Sequence, residues 1–301
     1  MEMARFGYFL SGEEHAPGEL VQQARLAERA GFEALWISDH FHPWLDEQGQ
    51  SSFAWAVIGA LSQATSLPIG TAVTCPLVRT HPAIVAQAAA TCAVLTGGRF
   101  TLGVGTGEFL NEHIIDSRWP PAAERMEMLE EAVALMRRLF TGKLVTHRGE
   151  HYRLDTARLY TVPDEPPPIH ISGFGTKAAT LAGRIADGYI CMMPDADLVK
   201  VFREAGGAGR QAEGVLGVRR GAGAADRAAA VGQRPPAGRG EPAAAAAAAV
   251  PPAGAAGDRG RVRHADRARA GRLLRLLLPR GAVAPTRMTP YSHGETPGWK
   301  E

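Results

Sequence analysis

The chain has 301 residues, and 45% of them are apolar, which is enough to bury the core of one large domain or two smaller ones. No run of about eighteen apolar residues occurs, and the first residues lack the basic and apolar regions of a secretion signal, so we expect neither a membrane span nor export. The formal net charge is only +2, and the three cysteines, Cys75, Cys92 and Cys191, lie far apart in apolar runs, which indicates free thiols in a cytoplasmic protein and excludes a disulfide framework.

Short apolar segments alternate with helical repeats through the first two hundred residues. The pattern predicts, in chain order, strand Arg5–Leu10, helix Pro17–Ala30, strand Ala34–Ser38, helix Phe53–Thr65, strand Leu67–Thr74, helix Pro82–Leu95, strand Phe100–Val104, helix Ala122–Phe140, hairpin Leu144–Leu154, strand Ile169–Ser172, helix Thr176–Ala186 and strand Tyr189–Met192. This alternation predicts an α/β fold with a parallel sheet covered on both faces. Six strands are compatible with an open doubly wound sheet and with an interrupted barrel.

The composition changes after Gly207, and we place a domain boundary there: residues 1–207 form the β/α portion and 208–301 a low-complexity tail. Residues 208–287 hold 15 arginines, five acidic residues and no lysine, which leaves a charge of −8 on the rest of the chain. Alanine, arginine, glycine and proline dominate this segment, so it has little to bury and is expected to be disordered. Our hypothesis is that G+C-rich DNA is read there in a shifted frame; a genuine basic linker is the alternative. Without interleaved aromatic residues, a nucleic-acid-binding arm is disfavoured.

Polar residues and a tryptophan follow the second predicted strand, in the run from Ser38 to Trp44. Ligands bind at this end of parallel strands, and a histidine there can accept a proton near neutral pH. Asp39 can hydrogen-bond to a cofactor or tune the site, and Trp44 supplies a flat wall with one N–H donor. His40 and His42 could instead begin a metal site, but no later ligands complete the set convincingly, so no metal is predicted.

Two glycine-rich turns follow later strands. In Gly103–Glu112 the glycines allow a close approach of the backbone to a ligand, and Glu108 can exchange a proton with it; a simple tight turn is the alternative. Glu108 occupies the third glycine position of the dinucleotide-binding fingerprint, so this segment is not predicted to be a dinucleotide-binding turn. In Ser172–Thr176 a strand, a turn and a helix N-terminus make an anion site from backbone N–H groups, although many such turns contain glycine without binding phosphate.

Together these segments resemble the luciferase-like monooxygenase superfamily, in particular its F420-dependent branch that includes the glucose-6-phosphate dehydrogenases. The similarity runs from about Arg5 to Ala205. Four motifs carry it in order: Ser38–Trp44, Gly70–Val73, Gly103–Glu112 and Ala186–Cys191. The resemblance implies an oxidoreductase on a (β/α)₈ TIM barrel, with an insertion near residues 142–168 and left incomplete by the C-terminal segment.

The resemblance also implies roles for individual residues around coenzyme F420, with FMN as the alternative cofactor. His40 would take the proton from the substrate hydroxyl, Trp44 would wall the substrate, and Glu108 would support or protonate the ring. The implied cofactor contacts are Asp39, Ala72, Val73, Gly107, Asn111 and, around the phosphate, Ser172, Gly173, Phe174, Gly175 and Thr176. Family members are often dimers, so a homodimer is expected by analogy.

Two departures from the family pattern bear on function. Where the sugar-phosphate enzymes carry a threonine and, three residues later, a lysine, this chain has Met192 and Asp195. An acidic group there repels a phosphate by about 1 kcal/mol or more at close range, so we predict a less polar alcohol or carbonyl substrate that faces Met192. The second departure is the tail, which makes an inactive product one alternative. A monooxygenase of the same fold is the other alternative.

Overall fold

Seven strands form one parallel sheet: β1 (Gly7–Leu10), β2 (Ala34–Ile37), β3 (Ile69–Thr71), β4 (Phe100–Val104), β7 (Ile169–Ser172), β8 (Gly188–Cys191) and β9 (Gln211–Gly214). The structure, a computed structural model, describes residues 6–115, 117–191, 195–207 and 210–214. A separate antiparallel pair, β5 (Val145–Arg148) and β6 (Arg153–Ala157), forms the predicted hairpin.

The spatial order of the sheet strands follows the chain order, β1-β2-β3-β4-β7-β8-β9, and every neighbouring pair is parallel. A doubly wound sheet reverses its order at a switch point, whereas a (β/α)₈ barrel does not. The sheet therefore has barrel topology, and the expected incomplete (β/α)₈ barrel is confirmed over the described residues.

Side-chain contacts inside the sheet show its curvature. Trp36 on β2 and His170 on β7 are three strands apart, which would separate them by about 14 Å in a flat sheet, yet their ring centroids are 6.4 Å apart. Glycines make room for the tryptophan: a Cβ on Gly70, its partner on β3, would lie 2.3 Å from the indole ring. The concave face is thus the interior of an incomplete barrel, and it holds one large aromatic side chain.

Helices cover the outer face of the sheet. They are α1 (Pro17–Arg29), α2 (Ala54–Ser62), α3 (Pro82–Leu95), α4 (Phe109–Glu112), α5 (Ala122–Phe140), α6 (Thr176–Ile185) and α7 (Ala196–Phe202), with 3₁₀ turns at Asp46–Gln48 and His113–Ile115 and a π turn at Arg203–Gly207. Strand residues such as Leu35, Ile37 and Leu102 are buried in the core that these helices share with the sheet. Among the described residues, no helix has the length and apolar character needed to cross a membrane.

The structure differs from the predicted elements in three places. Strand β3 ends at Thr71 instead of Thr74, and beyond it only Thr74 pairs again, with Val104. The structure also contains α4 and α7, which the sequence did not predict, because such short helices have too few turns to show a periodic pattern. Strand β9 lies beyond the proposed boundary at Gly207, because pairing with β8 uses main-chain groups and needs no apolar side chains. Residues 215–301 of the predicted tail lie outside the described residues.

Candidate active site

The loop that follows β2 carries the first group of candidate residues. Asp39 is 5% exposed and accepts a hydrogen bond of 2.7 Å from the hydroxyl of Thr74. The carbonyl of Ile37 accepts from the N–H of Ala72, so the ends of β2 and β3 stay in contact below the loop. The polar residues therefore meet at the C-terminal end of the barrel strands, where barrel enzymes bind their substrates.

His40 is held by a carboxylate that the sequence analysis missed. Its Nδ1 lies 2.5 Å from Oε1 of Glu13, a residue in the loop after β1 that is 3% exposed. The other carboxylate oxygen of Glu13 accepts hydrogen bonds from Ser38 (2.8 Å) and Ser11 (3.0 Å). The ring edge of His40 faces Trp44 at a centroid distance of 5.3 Å. The imidazole is thus fixed on one side by a buried carboxylate and bounded on another by the tryptophan.

These neighbours shift the pKa of His40. Burial disfavours the imidazolium ion and by itself lowers the pKa of His40. The hydrogen bond with Glu13 and the negative charges of Glu13, Glu108 and Asp39 raise the pKa by more than burial lowers it, so that it lies above its usual value. The pKa of Glu13 falls to about 2, because the His40 and Ser38 contacts outweigh the effect of burial. His40 therefore retains a proton more readily than an exposed histidine, and Glu108 lies close enough to influence it.

Asn111 joins the loops after β2 and β4. Its Oδ1 accepts hydrogen bonds from the N–H groups of Phe41 (2.8 Å) and His42 (3.1 Å), and the side chain is 2% exposed. Nδ1 of His42 lies 3.1 Å from the carbonyl of Leu110. The amide oxygen thus fixes the loop that carries His40, a positioning role that the sequence pattern did not indicate. The expected cofactor contact of Asn111 stays a prediction.

The glycine-rich segment after β4 is closely packed. Gly107 has a φ of +70°, and a Cβ there would lie 2.4 Å from Sγ of Cys75. A Cβ on Gly105 would lie 2.9 Å from Cγ2 of Val73, which follows the cis peptide bond from Ala72. Ala72 and Val73 therefore lie between the ends of β2 and β4, with Val73 directly beside Gly105.

The predicted anion-binding turn lies between β7 and α6. Gly175 is the N-cap of the ten-residue helix, and no side chain caps its first turn. A Cβ on Gly173 would lie 2.1 Å from that of Ala178, and the carbonyl of Gly173 accepts a 2.5 Å hydrogen bond from Tyr189. Phe174 is 73% exposed. The turn, from Ser172 to Thr176, therefore presents its first-turn N–H groups next to β4 at the same end of the sheet.

Two further candidates lie at the end of β8. Met192 is outside the described residues. Asp195 is the N-cap of α7, and its carboxylate accepts hydrogen bonds of 3.0 Å from the N–H groups of Asp197 and Leu198. His170 is buried in the barrel interior against Gly188, and burial lowers its pKa to about 4. Within the described ranges, no cluster of three His, Cys, Asp or Glu residues has the arrangement of a metal site.

The model of the luciferase-like monooxygenase family matches residues 3–276, which extends past Gly207. The F420-dependent hydroxymycolic acid dehydrogenase of Mycobacterium tuberculosis is 43% identical over 209 residues, 69% of this chain and 58% of that protein. The F420-dependent glucose-6-phosphate dehydrogenase of Nakamurella multipartita is 46% identical over 187 residues, 62% of this chain and 55% of that protein. The chain thus spans little more than half the length of these relatives.

Solved structures give the same picture. An F420-dependent secondary alcohol dehydrogenase in complex with an F420–acetone adduct aligns with a TM-score of 0.65 at 40% identity, over 68% of this chain and 64% of that one. The F420-dependent tetrahydromethanopterin reductase of Methanopyrus kandleri aligns with a TM-score of 0.60 at 23% identity, over 70% and 63% of the two chains. The second likeness shows a shared fold only.

Proposed function

Because the chain belongs to the luciferase-like monooxygenase family, we propose that it is an F420-dependent oxidoreductase acting on an alcohol or carbonyl compound. The observation that carries the proposal is the placement of His40. It lies between Glu13 and Trp44, at the strand ends, in a cluster that also holds Asp39 and Glu108. Such a cluster can move a proton beside a flat redox ring.

The residues of the site fit a deazaflavin. Asp39 would offer its carboxylate oxygens to the N–H groups of a ring, and Gly105 and Gly107 let the loop after β4 pack closely against Val73 and Cys75. The first turn of α6, which no side chain caps, supports a phosphate at the C-terminal end of the same sheet. The space beside it is open, because nothing lies within 4 Å of a Cβ built on Gly175. We therefore assign Asp39, Ala72, Val73, Gly107, Asn111 and the turn from Ser172 to Thr176 to cofactor binding.

Bound F420 would accept or supply a hydride at its ring carbon. His40 holds the proton that travels with it: as imidazole it takes the proton of a substrate hydroxyl, and as imidazolium it returns a proton to a carbonyl oxygen. Glu13 stabilises the imidazolium form in either direction. Trp44 excludes water beside His40, and Glu108 supports the ring from the β4 side. Because His40 has a raised pKa, reduction is favoured near neutral pH and oxidation improves as pH rises.

The substrate we propose is less polar than a sugar phosphate. Asp195 caps α7 with its carboxylate, so a negative charge is fixed beside the end of β8. A phosphate close to it would be repelled. Relatives of both kinds match the chain: the hydroxymycolic acid and secondary alcohol dehydrogenases are named for substrates without phosphate, and the glucose-6-phosphate dehydrogenase for a phosphate ester. The choice between them therefore rests on Asp195.

A cofactor titration tests the proposal. Binding of F420 or FMN to the purified full chain is followed by fluorescence, and turnover of a secondary alcohol by the absorbance of F420. We expect F420 to bind and His40→Ala to abolish turnover but not binding, while Arg99→Met, at the opposite end of β4 from the site, changes neither. Preferential binding of FMN would favour a monooxygenase. Binding of neither cofactor, together with a non-cooperative melt, would identify an inactive product.

A homodimer forms part of the proposal. Helices α2 and α3 carry no charged residue, and helices that are apolar on all sides are buried on all sides. Phe53 is 63% exposed and Ile84 is 57% exposed, at the N-terminal ends of these helices. A second copy packing this surface against itself would cover both. Light scattering should give the dimer mass, and Ile84→Asp should give the monomer if the surface is correct.

A further inference from the structure

Arg79 is a buried cation among acidic residues of the proposed site. It lies in the loop between β3 and α3, and its side chain is 10% exposed. Its side-chain Nε lies 3.3 Å from Oε1 of Glu112, and its backbone N–H donates a 2.8 Å hydrogen bond to Oε2 of the same carboxylate. Its Nη2 lies 3.5 Å from both Oδ1 and the backbone oxygen of Asp39. One guanidinium group thus connects the loops that follow β2, β3 and β4.

We propose that Arg79 is a positioning residue that holds the Asp39 carboxylate toward the cofactor and locks together the three loops of the active site. The inference rests on the proposed function, because Asp39 is assigned there to the F420 ring. Arg79 reaches the ring only through Asp39. Its planar fork holds several N–H donors in fixed directions toward two acceptors, whereas a lysine ammonium is a point charge on a flexible stem.

The burial of the two acids explains why a cation is needed between them. The side chains of Glu112 and Asp39 are 1% and 3% exposed, and an unpaired carboxylate at such depth is costly. Burial raises the pKa of Glu112, and the contacts with Arg79 offset only part of that rise. Without Arg79 we expect Glu112 to take up a proton. Asp39 would then keep its hydrogen bond from the Thr74 hydroxyl but lose the cation that fixes the direction of its carboxylate.

The hairpin supports the same loop from outside the barrel. The hydroxyl of Tyr152 lies 3.3 Å from the carbonyl oxygens of Pro76 and Leu77, just before Arg79, and the residue is 4% exposed. The N–H of Tyr152 donates at 3.0 Å to Glu131 on α5, which anchors the tip of the hairpin. The insertion between α5 and β7 therefore fixes the backbone from which Arg79 extends.

The test is a double-mutant cycle on cofactor affinity. Arg79→Met and Asp39→Asn should each weaken F420 binding about tenfold, and the double variant should be little weaker than either, because both remove the same interaction. Arg79→Lys should recover part of the loss. Arg99→Met is the matched control: Arg99 is part-buried and donates to the carbonyl of Leu67 away from the site. It should leave affinity unchanged. Additive losses for Arg79 and Asp39 would overturn the inference.

A second readout needs no cofactor. Infrared spectra of the full chain at neutral pH should show a buried carboxylic acid band in Arg79→Met that is absent in the wild type and in Arg79→Lys. The band should disappear when Glu112→Gln is added. Its absence in Arg79→Met would overturn the inference. If the wild type binds neither F420 nor FMN, the proposed function fails, and the infrared band alone then decides the role of Arg79.

Discussion

Replacing Glu13 with glutamine removes one negative charge beside His40 and keeps the shape of the side chain and an acceptor oxygen. The fall in the pKa of Glu13 from 4.5 to about 2 corresponds to about 3 kcal/mol in favour of the folded, ionised carboxylate. We therefore expect Glu13→Gln to lower the free energy of unfolding at neutral pH by about 3 kcal/mol, which lies within the range for breaking a buried ion pair.

The sign of the pH dependence follows from the two shifts. Glu13 has a lowered pKa in the folded state, so its stabilisation is complete above about pH 4.3 and is lost as pH falls toward 2. His40 has a raised pKa, so its contribution is complete below about pH 6.5 and is lost as pH rises through the folded value. Glu13→Gln should flatten both changes, because each depends on the same pair.

The assay combines urea unfolding at several pH values with an NMR titration of ¹⁵N-labelled histidines. His40 should titrate at lower pH in Glu13→Gln than in the wild type, since its strongest charged partner is gone. Glu131→Gln is the control, because Glu131 contacts the hairpin residues His147, His151 and Tyr152 and should leave the titration of His40 unchanged. An unchanged titration of His40 would refute the pairing on which the site is built.

Three further changes test the site and the chain. Gly107→Ala should lower the melting temperature more than Gly49→Ala, because both have positive φ but only Gly107 would bring its Cβ to 2.4 Å from Cys75; equal losses would contradict the packing. Asp195→Ser keeps a helix cap and removes the charge, so it should raise turnover of glucose 6-phosphate relative to a secondary alcohol; efficient use of glucose 6-phosphate by the wild type would refute the substrate proposal. Because β9 is already the seventh strand, translation of the coding DNA beyond codon 214 in its other frames should give the eighth strand, and failure of both frames would eliminate the frame-shift hypothesis.

Local patterns were sufficient for most of the fold. Apolar runs with helical repeats between them predicted six sheet strands and the hairpin, because burial on both faces leaves a strong signal in sequence. The pattern placed the end of β3 too late and did not indicate α4, α7 or β9. Helices α4 and α7 have only one or two turns, and β9 and the end of β3 depend on backbone pairing with another strand. Neither feature gives a repeat along the chain.

The sequence by itself determined which residues stand at the strand ends: Asp39, His40 and Trp44 after β2, and Glu108 and Asn111 after β4. Only the tertiary structure decided the partners of these residues. Glu13 and Arg79 are distant in sequence and belong to loops with ordinary composition, and they reach His40 and Asp39 because β1 and β3 pair in parallel on either side of β2. Parallel pairing brings the C-terminal ends of separate strands together, so the charges that tune a site are set by geometry and not by neighbours along the chain.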